Sequence, residues 1–94
     1  MHKTIVTLED RIFAHALGAV LEERRQAAGL TKAELSRRMK VAESTIIWWE
    51  DGRMIPHVSA LRRLAVQLGT TASKLLRAAE LRAAKPPAPA GESG

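Results

Sequence analysis

The sequence predicts an all-α fold, a compact five-helix bundle. Two observations carry the prediction. Apolar residues recur at three- and four-residue spacing along nearly the whole chain, the mark of one-sided helices. Between these stretches stand caps and stops: Thr7, Gly29, Thr31, Gly52, Gly69 and Thr71. Strand-like alternation is confined to a weak trace in HKTIVTL, residues 2–8. The 94 residues suffice for one domain with a thin core, and with no Cys there is no disulfide to support it.

Residues 1–7 are expected to form an N-terminal arm, 8–84 the folded domain and 85–94 a disordered tail. The first helix follows Thr7, an N-cap candidate with Asp10 three residues on in a short variant of the capping box. Its apolar face is Leu8, Ile12, Phe13, Ala16, Leu17, Val20 and Leu21, and Gly29 is its stop. Gly18 lies inside it and argues against a single unbroken rod. LTKAELSRRM is the second helix, with Thr31 and Glu34 as a full capping box. AESTIIWWED is the third, stopped by Gly52. RMIPH is a loop punctuated by Pro56. HVSALRRLAVQLG is the fourth helix, with Val58, Leu61, Leu64, Ala65 and Leu68 as its stripe and Gly69 as its stop. Thr71 caps the fifth, ASKLLRAAELRAA, which carries Leu75, Leu76 and Ala79 and continues apolar at Leu81. The tail KPPAPAGESG is too rich in Pro, Ala and Gly to bury a core.

Fifteen Lys and Arg against ten Asp and Glu give a net charge of +5. A small basic domain favours a polyanion as partner, most often nucleic acid. The absence of Cys excludes Cys-based zinc sites and leaves no mark of an oxidising compartment. His2, His15 and His57 have no ligand spacing, so surface or capping roles are expected and no metal or cofactor. There is no glycine-rich phosphate loop, nucleophile elbow or catalytic carboxylate pair. Glu22 and Glu23 read as a solvated helix face, and no enzyme is expected. No apolar run is long enough to span a membrane, and MHKTIVTLED lacks the apolar stretch of a signal peptide, so the expected location is the cytoplasm.

The second and third helices are separated by about three residues around Met39, Lys40 and Val41, which is helix-turn-helix spacing. Leu35 and Met39 then lie on the inner face of the second helix, and Ser36 is small where the two helices must approach. In STIIWWEDG, consecutive residues point about 100° apart, so Ile46, Ile47, Trp48 and Trp49 cannot share one small core. Ile46 and Trp49, three apart, are expected inside. Glu43, Ser44, Ile47 and Trp48 are left together on the opposite face.

From about Leu17 to Leu76 the chain resembles the lambda-repressor-like, or Cro-type (XRE family), helix-turn-helix family of bacterial and phage regulators. The marks are LGAVLEERRQAAGLTKAEL, STIIWWEDG, Pro56, LRRLAVQLG and KLL, in order and at the expected intervals. The resemblance implies a five-helix bundle that binds double-stranded operator DNA, usually as a homodimer. By the same match, Arg25 and Glu50 form a structural ion pair that orients the recognition helix. Thr31 and Lys32 at the start of the second helix, and Arg53 after Gly52, match phosphate-binding positions, in keeping with the free N–H groups and dipole of a helix start. Glu43, Ser44, Thr45, Ile47 and Trp48 match base-reading positions. Their chemistry is unusual, since Arg, Gln and Asn are the common bidentate readers and none stands on this face.

Two further positions depart from the family pattern. Lys40 replaces the usual turn Gly, at a cost of about 1 kcal/mol if the position needs a positive φ. Ala42 replaces the usual hydroxyl cap, at a similar ~1 kcal/mol. Three roles are open to Trp48, preferred in this order: a DNA contact, a protein hot spot, a core residue. The expected function is a sequence-specific transcriptional regulator, with repression by blocking the promoter. Two alternatives are an antitoxin that autoregulates its operon and contacts a toxin, and a protein-interaction module that docks through Ile47 and Trp48.

Overall fold

The computed structural model describes residues 7–85. The expected arm and tail lie outside the described residues, apart from Thr7 and Lys85. Five helices follow one another, α1 (Leu8–Ala27), α2 (Lys32–Met39), α3 (Glu43–Glu50), α4 (Val58–Gln67) and α5 (Ala72–Ala84), and no strand occurs among the described residues.

Side chains cap four of the five helix starts. The Thr7 hydroxyl accepts from the Asp10 N–H at 3.0 Å, and that of Thr71 from the Lys74 N–H at 3.1 Å. At α2 the full capping box forms: Thr31 Oγ1 accepts from Glu34 N–H (3.0 Å), and Glu34 Oε1 accepts from Thr31 N–H (2.8 Å). The bond from the Thr31 N–H, above all, holds the Glu34 carboxyl below its ordinary range. His57 caps α4 through Nδ1, which accepts from the Ala60 N–H at 3.3 Å. Only α3 lacks a side-chain cap, because Ala42 has no oxygen to offer.

The α2–α3 turn is closed by Lys40, the sole non-glycine with a positive φ among the described residues (φ 60°, ψ 44°). A left-handed conformation at an L-residue costs about 1–2 kcal/mol. Lys40→Gly is therefore expected to stabilise the fold by up to ~1 kcal/mol, the relief less about 0.4–1 kcal/mol for the freer unfolded chain. Urea unfolding measures this; a loss of stability would remove strain from the account of the turn.

Leu17, Leu21, Leu35, Ile46, Leu64 and Leu75 are the largest fully buried side chains, one or two from each helix. They join Val20, Leu30, Met39, Trp49, Leu61, Leu68 and Ala79 in one core, with Phe13 and Val41 packed against it. α1 is the spine, packing most extensively on α5 and then α3, while α2 packs on α3 and α4.

Several residues of the expected apolar stripes lie at the surface instead of in this core. Leu8 and Ile12 are 71% and 47% exposed, and Val58 is 74% exposed. The first turns of α1 run past the bundle, where the end of α5 is their neighbour across an open groove of about 780 Å³ lined by Leu8, Ile12, Ala16, Ala83 and Ala84. Val58 stands in the first turn of α4, immediately after its cap. Leu76 is also at the surface, unlike its neighbour Leu75. Gly18 does not break α1, which is continuous over its 20 residues.

Candidate nucleic-acid interface

Helices α2 and α3 meet through a turn of Lys40, Val41 and Ala42. Ser36 is buried at their approach, and its hydroxyl is satisfied within α2 by donating to the Ala33 carbonyl at 2.8 Å. The Val41 N–H returns to the Ser36 carbonyl at 3.1 Å, fixing the angle at which α3 leaves. Ile46 and Trp49 face inward, 1% and 5% exposed. The helix therefore turns its other side away from the bundle. Glu43, Ser44 and Trp48 are exposed there, and Thr45 and Ile47 are half-buried. Trp48 is 41% exposed, which removes the core role from its three options.

The far end of α3 is locked to α1. Arg25 and Glu50 are both buried, and Arg25 Nε and Nη2 donate to the Glu50 carboxylate at 2.7 and 3.1 Å. Nη1 donates to the Leu30 carbonyl at 2.8 Å, so the same side chain also holds the loop between α1 and α2. The hydrogen bonds to Glu50, ahead of its charge, raise the Arg25 pKa beyond its ordinary value. A planar guanidinium suits this forked grip on two elements, whereas Lys would offer one point charge.

Thr31, exposed, and Lys32, half-buried, stand at the start of α2. Arg53 is exposed just past Gly52, and its N–H bonds to the Trp48 carbonyl at 2.9 Å, tying it to the end of α3. Arg37, Arg38, Lys40, Arg62 and Arg63 are all exposed. Among the described residues no group of His, Asp and Glu is placed to hold a metal ion. Nor is any described helix long and apolar enough to cross a membrane.

Sequence reasoning missed two features of this region. Gly18 is the point where α1 and α3 touch: a Cβ there would overlap the Glu50 carbonyl oxygen and lie 2.7 Å from that of Trp49. A glycine inside an otherwise good helix was the available signal, and close packing is one of its meanings. The second is a cleft at the end of α3 lined by Arg11, His15, Asp51, Gly52 and Arg53. Nothing in the spacing of residues 11, 15 and 53 foretells that they meet.

A short turn between α2 and α3, with an outward-facing α3 braced from behind, defines a helix-turn-helix domain of the DNA-binding class. The profile of the helix-turn-helix domain family matches residues 16–79, and the chain belongs to that family. Two crystal structures of the clp gene regulator ClgR from Corynebacterium glutamicum are similar to it at 28% identity. One superposes with a TM-score of 0.73 over 77% of this chain and 77% of that one. The other superposes at 0.72 over 77% of this chain and 92% of that one. No curated protein matches the sequence.

Proposed function

We propose that this chain is a sequence-specific transcriptional regulator that binds a pseudo-palindromic operator as a homodimer and represses by occluding the promoter. The outward face of α3 carries the reading. Glu43, Ser44, Thr45, Ile47 and Trp48 are turned away from the core by the burial of Ile46 and Trp49. In the major groove, Ser44 and Thr45 bond to base edges, Glu43 accepts from a cytosine amino group, and Ile47 and Trp48 pack on thymine methyls. Thr31, Lys32 and Arg53 hold phosphates and set the register. The Arg25–Glu50 pair keeps α3 at the angle the groove requires. The likeness to a protein described as a gene regulator supports the same reading.

A homodimer is supported by the apolar groove between α1 and α5, which leaves Leu8 and Ile12 exposed. Two copies place two recognition helices on half-sites about 34 Å apart.

Selection from a random duplex library tests the reading, followed by salt titration of the selected duplex against a scrambled one. The expected consensus is palindromic. Lys32→Ala and Arg53→Ala should weaken binding to all duplexes alike, each lowering the salt slope by about 0.9. Ser44→Ala and Thr45→Ala should change the preferred sequence instead. Equal losses from all four variants on every duplex would refute the division of roles.

A second reading is favoured by one observation: Trp48 is exposed beside Ile47 on a helix with no Arg, Lys, Asn or Gln. In that reading the face docks a protein, such as the toxin partner of an antitoxin. Weak, sequence-blind DNA binding together with a protein complex abolished by Trp48→Ala would select it.

A further inference from the structure

The family match begins at residue 16, but α1 begins at Leu8. The helix thus carries about two turns beyond the matched range. Phe13 and Ala14 of these turns face the bundle, whereas Leu8, Arg11, Ile12 and His15 are all exposed. The turns are docked firmly. Gly52 lies directly against the α1 backbone, where a Cβ would come within 2.9 Å of His15 Cα and 3.0 Å of its nitrogen. The backbone of Gly52 also has φ +76°, so both its conformation and its closeness to His15 call for the absence of a side chain.

This contact brings Arg11 and His15 to the side of Arg53. Together with Asp51 and Gly52 they line an open cleft of about 470 Å³. Among the described residues, the ion pairs are Arg25–Glu50 and Arg82–Glu23, so neither Arg11 nor Arg53 is paired. Two guanidiniums therefore share one cleft with a single carboxylate, that of Asp51, and the carbonyl end of α3 adds only partial negative charge. The excess of positive charge is uncompensated until an anion enters, and a guanidinium fork matches the two free oxygens of a phosphodiester.

We propose that the first two turns of α1 form a second backbone clamp, in which Arg11, assisted by His15, closes with Arg53 on a DNA phosphate at the C-terminal end of the recognition helix. The clamp rests on the DNA-binding reading above and adds to it a contact outside the helix-turn-helix unit. Asp51 opposes it and tempers the affinity.

The test uses the full chain and a duplex carrying one selected half-site, so that dimerisation does not enter. Affinity is measured across salt for Arg11→Ala, Arg11→Lys, Asp51→Asn and Lys32→Ala, with thermal unfolding of each variant. Arg11→Ala should lower the salt slope by about 0.9, which shrinks the affinity change between 50 and 200 mM salt by about threefold. The loss should be the same for selected and scrambled duplexes. Arg11→Lys should keep the slope, and Asp51→Asn should tighten binding to both duplexes. An unchanged slope in Arg11→Ala, with the expected fall in Lys32→Ala, overturns the clamp and leaves the DNA-binding reading standing. Unchanged slopes in both variants overturn both.

Discussion

Replacing Glu50 by Ala is expected to lower the unfolding free energy by about 3–5 kcal/mol, because it leaves the Arg25 charge buried and unpaired. The side chains are 8% and 3% exposed, and two hydrogen bonds join them. Arg25→Ala should cost a similar amount, since it strands the Glu50 carboxylate and also the Leu30 carbonyl that Nη1 serves. An unpaired buried acceptor of this kind costs about 1–3 kcal/mol. Replacing both partners by apolar residues of similar volume, as in Arg25→Met with Glu50→Leu, should recover most of the loss, because desolvation of the two charges then disappears with their attraction. Urea denaturation of the parent, the singles Arg25→Met and Glu50→Leu and their double gives the coupling directly. A double variant as unstable as the sum of the singles would show that the pair acts through packing alone.

The Gly18→Ala variant is expected to lose about 1–3 kcal/mol by overpacking, against a helix-propensity gain of about 1 kcal/mol for the same change at an unhindered position. The sign decides the matter. The added methyl meets the carbonyl oxygens of Glu50 and Trp49, which are backbone atoms of α3 and cannot rotate aside. α3 must slide away from α1, and the Arg25–Glu50 bonds lie across the same gap. Affinity for the selected duplex should fall together with stability, because the recognition helix is displaced. A stabilised Gly18→Ala protein would mean that α1 and α3 have room to spare.

Much of the architecture was legible because its causes are local. The Thr31–Glu34 capping box needs only residues three apart, and it forms as expected. The division of STIIWWEDG follows from helical geometry: Ile46 and Trp49 are inside and Trp48 outside. The positive φ at Lys40 was implied by the family's preference for Gly at that turn position. Leu8, Ile12 and Val58 were misplaced for a physical reason. Periodicity tells which side of a helix is apolar, but not how far the neighbouring helices extend to cover it.

By itself the sequence determined the helices, their caps, the inner face of each and the family resemblance, since these depend on spacing along one chain. The tertiary structure alone decided what meets across distance. It put Gly18 under the end of α3, left the start of α1 uncovered by α5, and carried Arg11 and His15 to Arg53. Such meetings depend on where two helices cross, and a crossing is set by summed packing over the whole core, which no local pattern encodes.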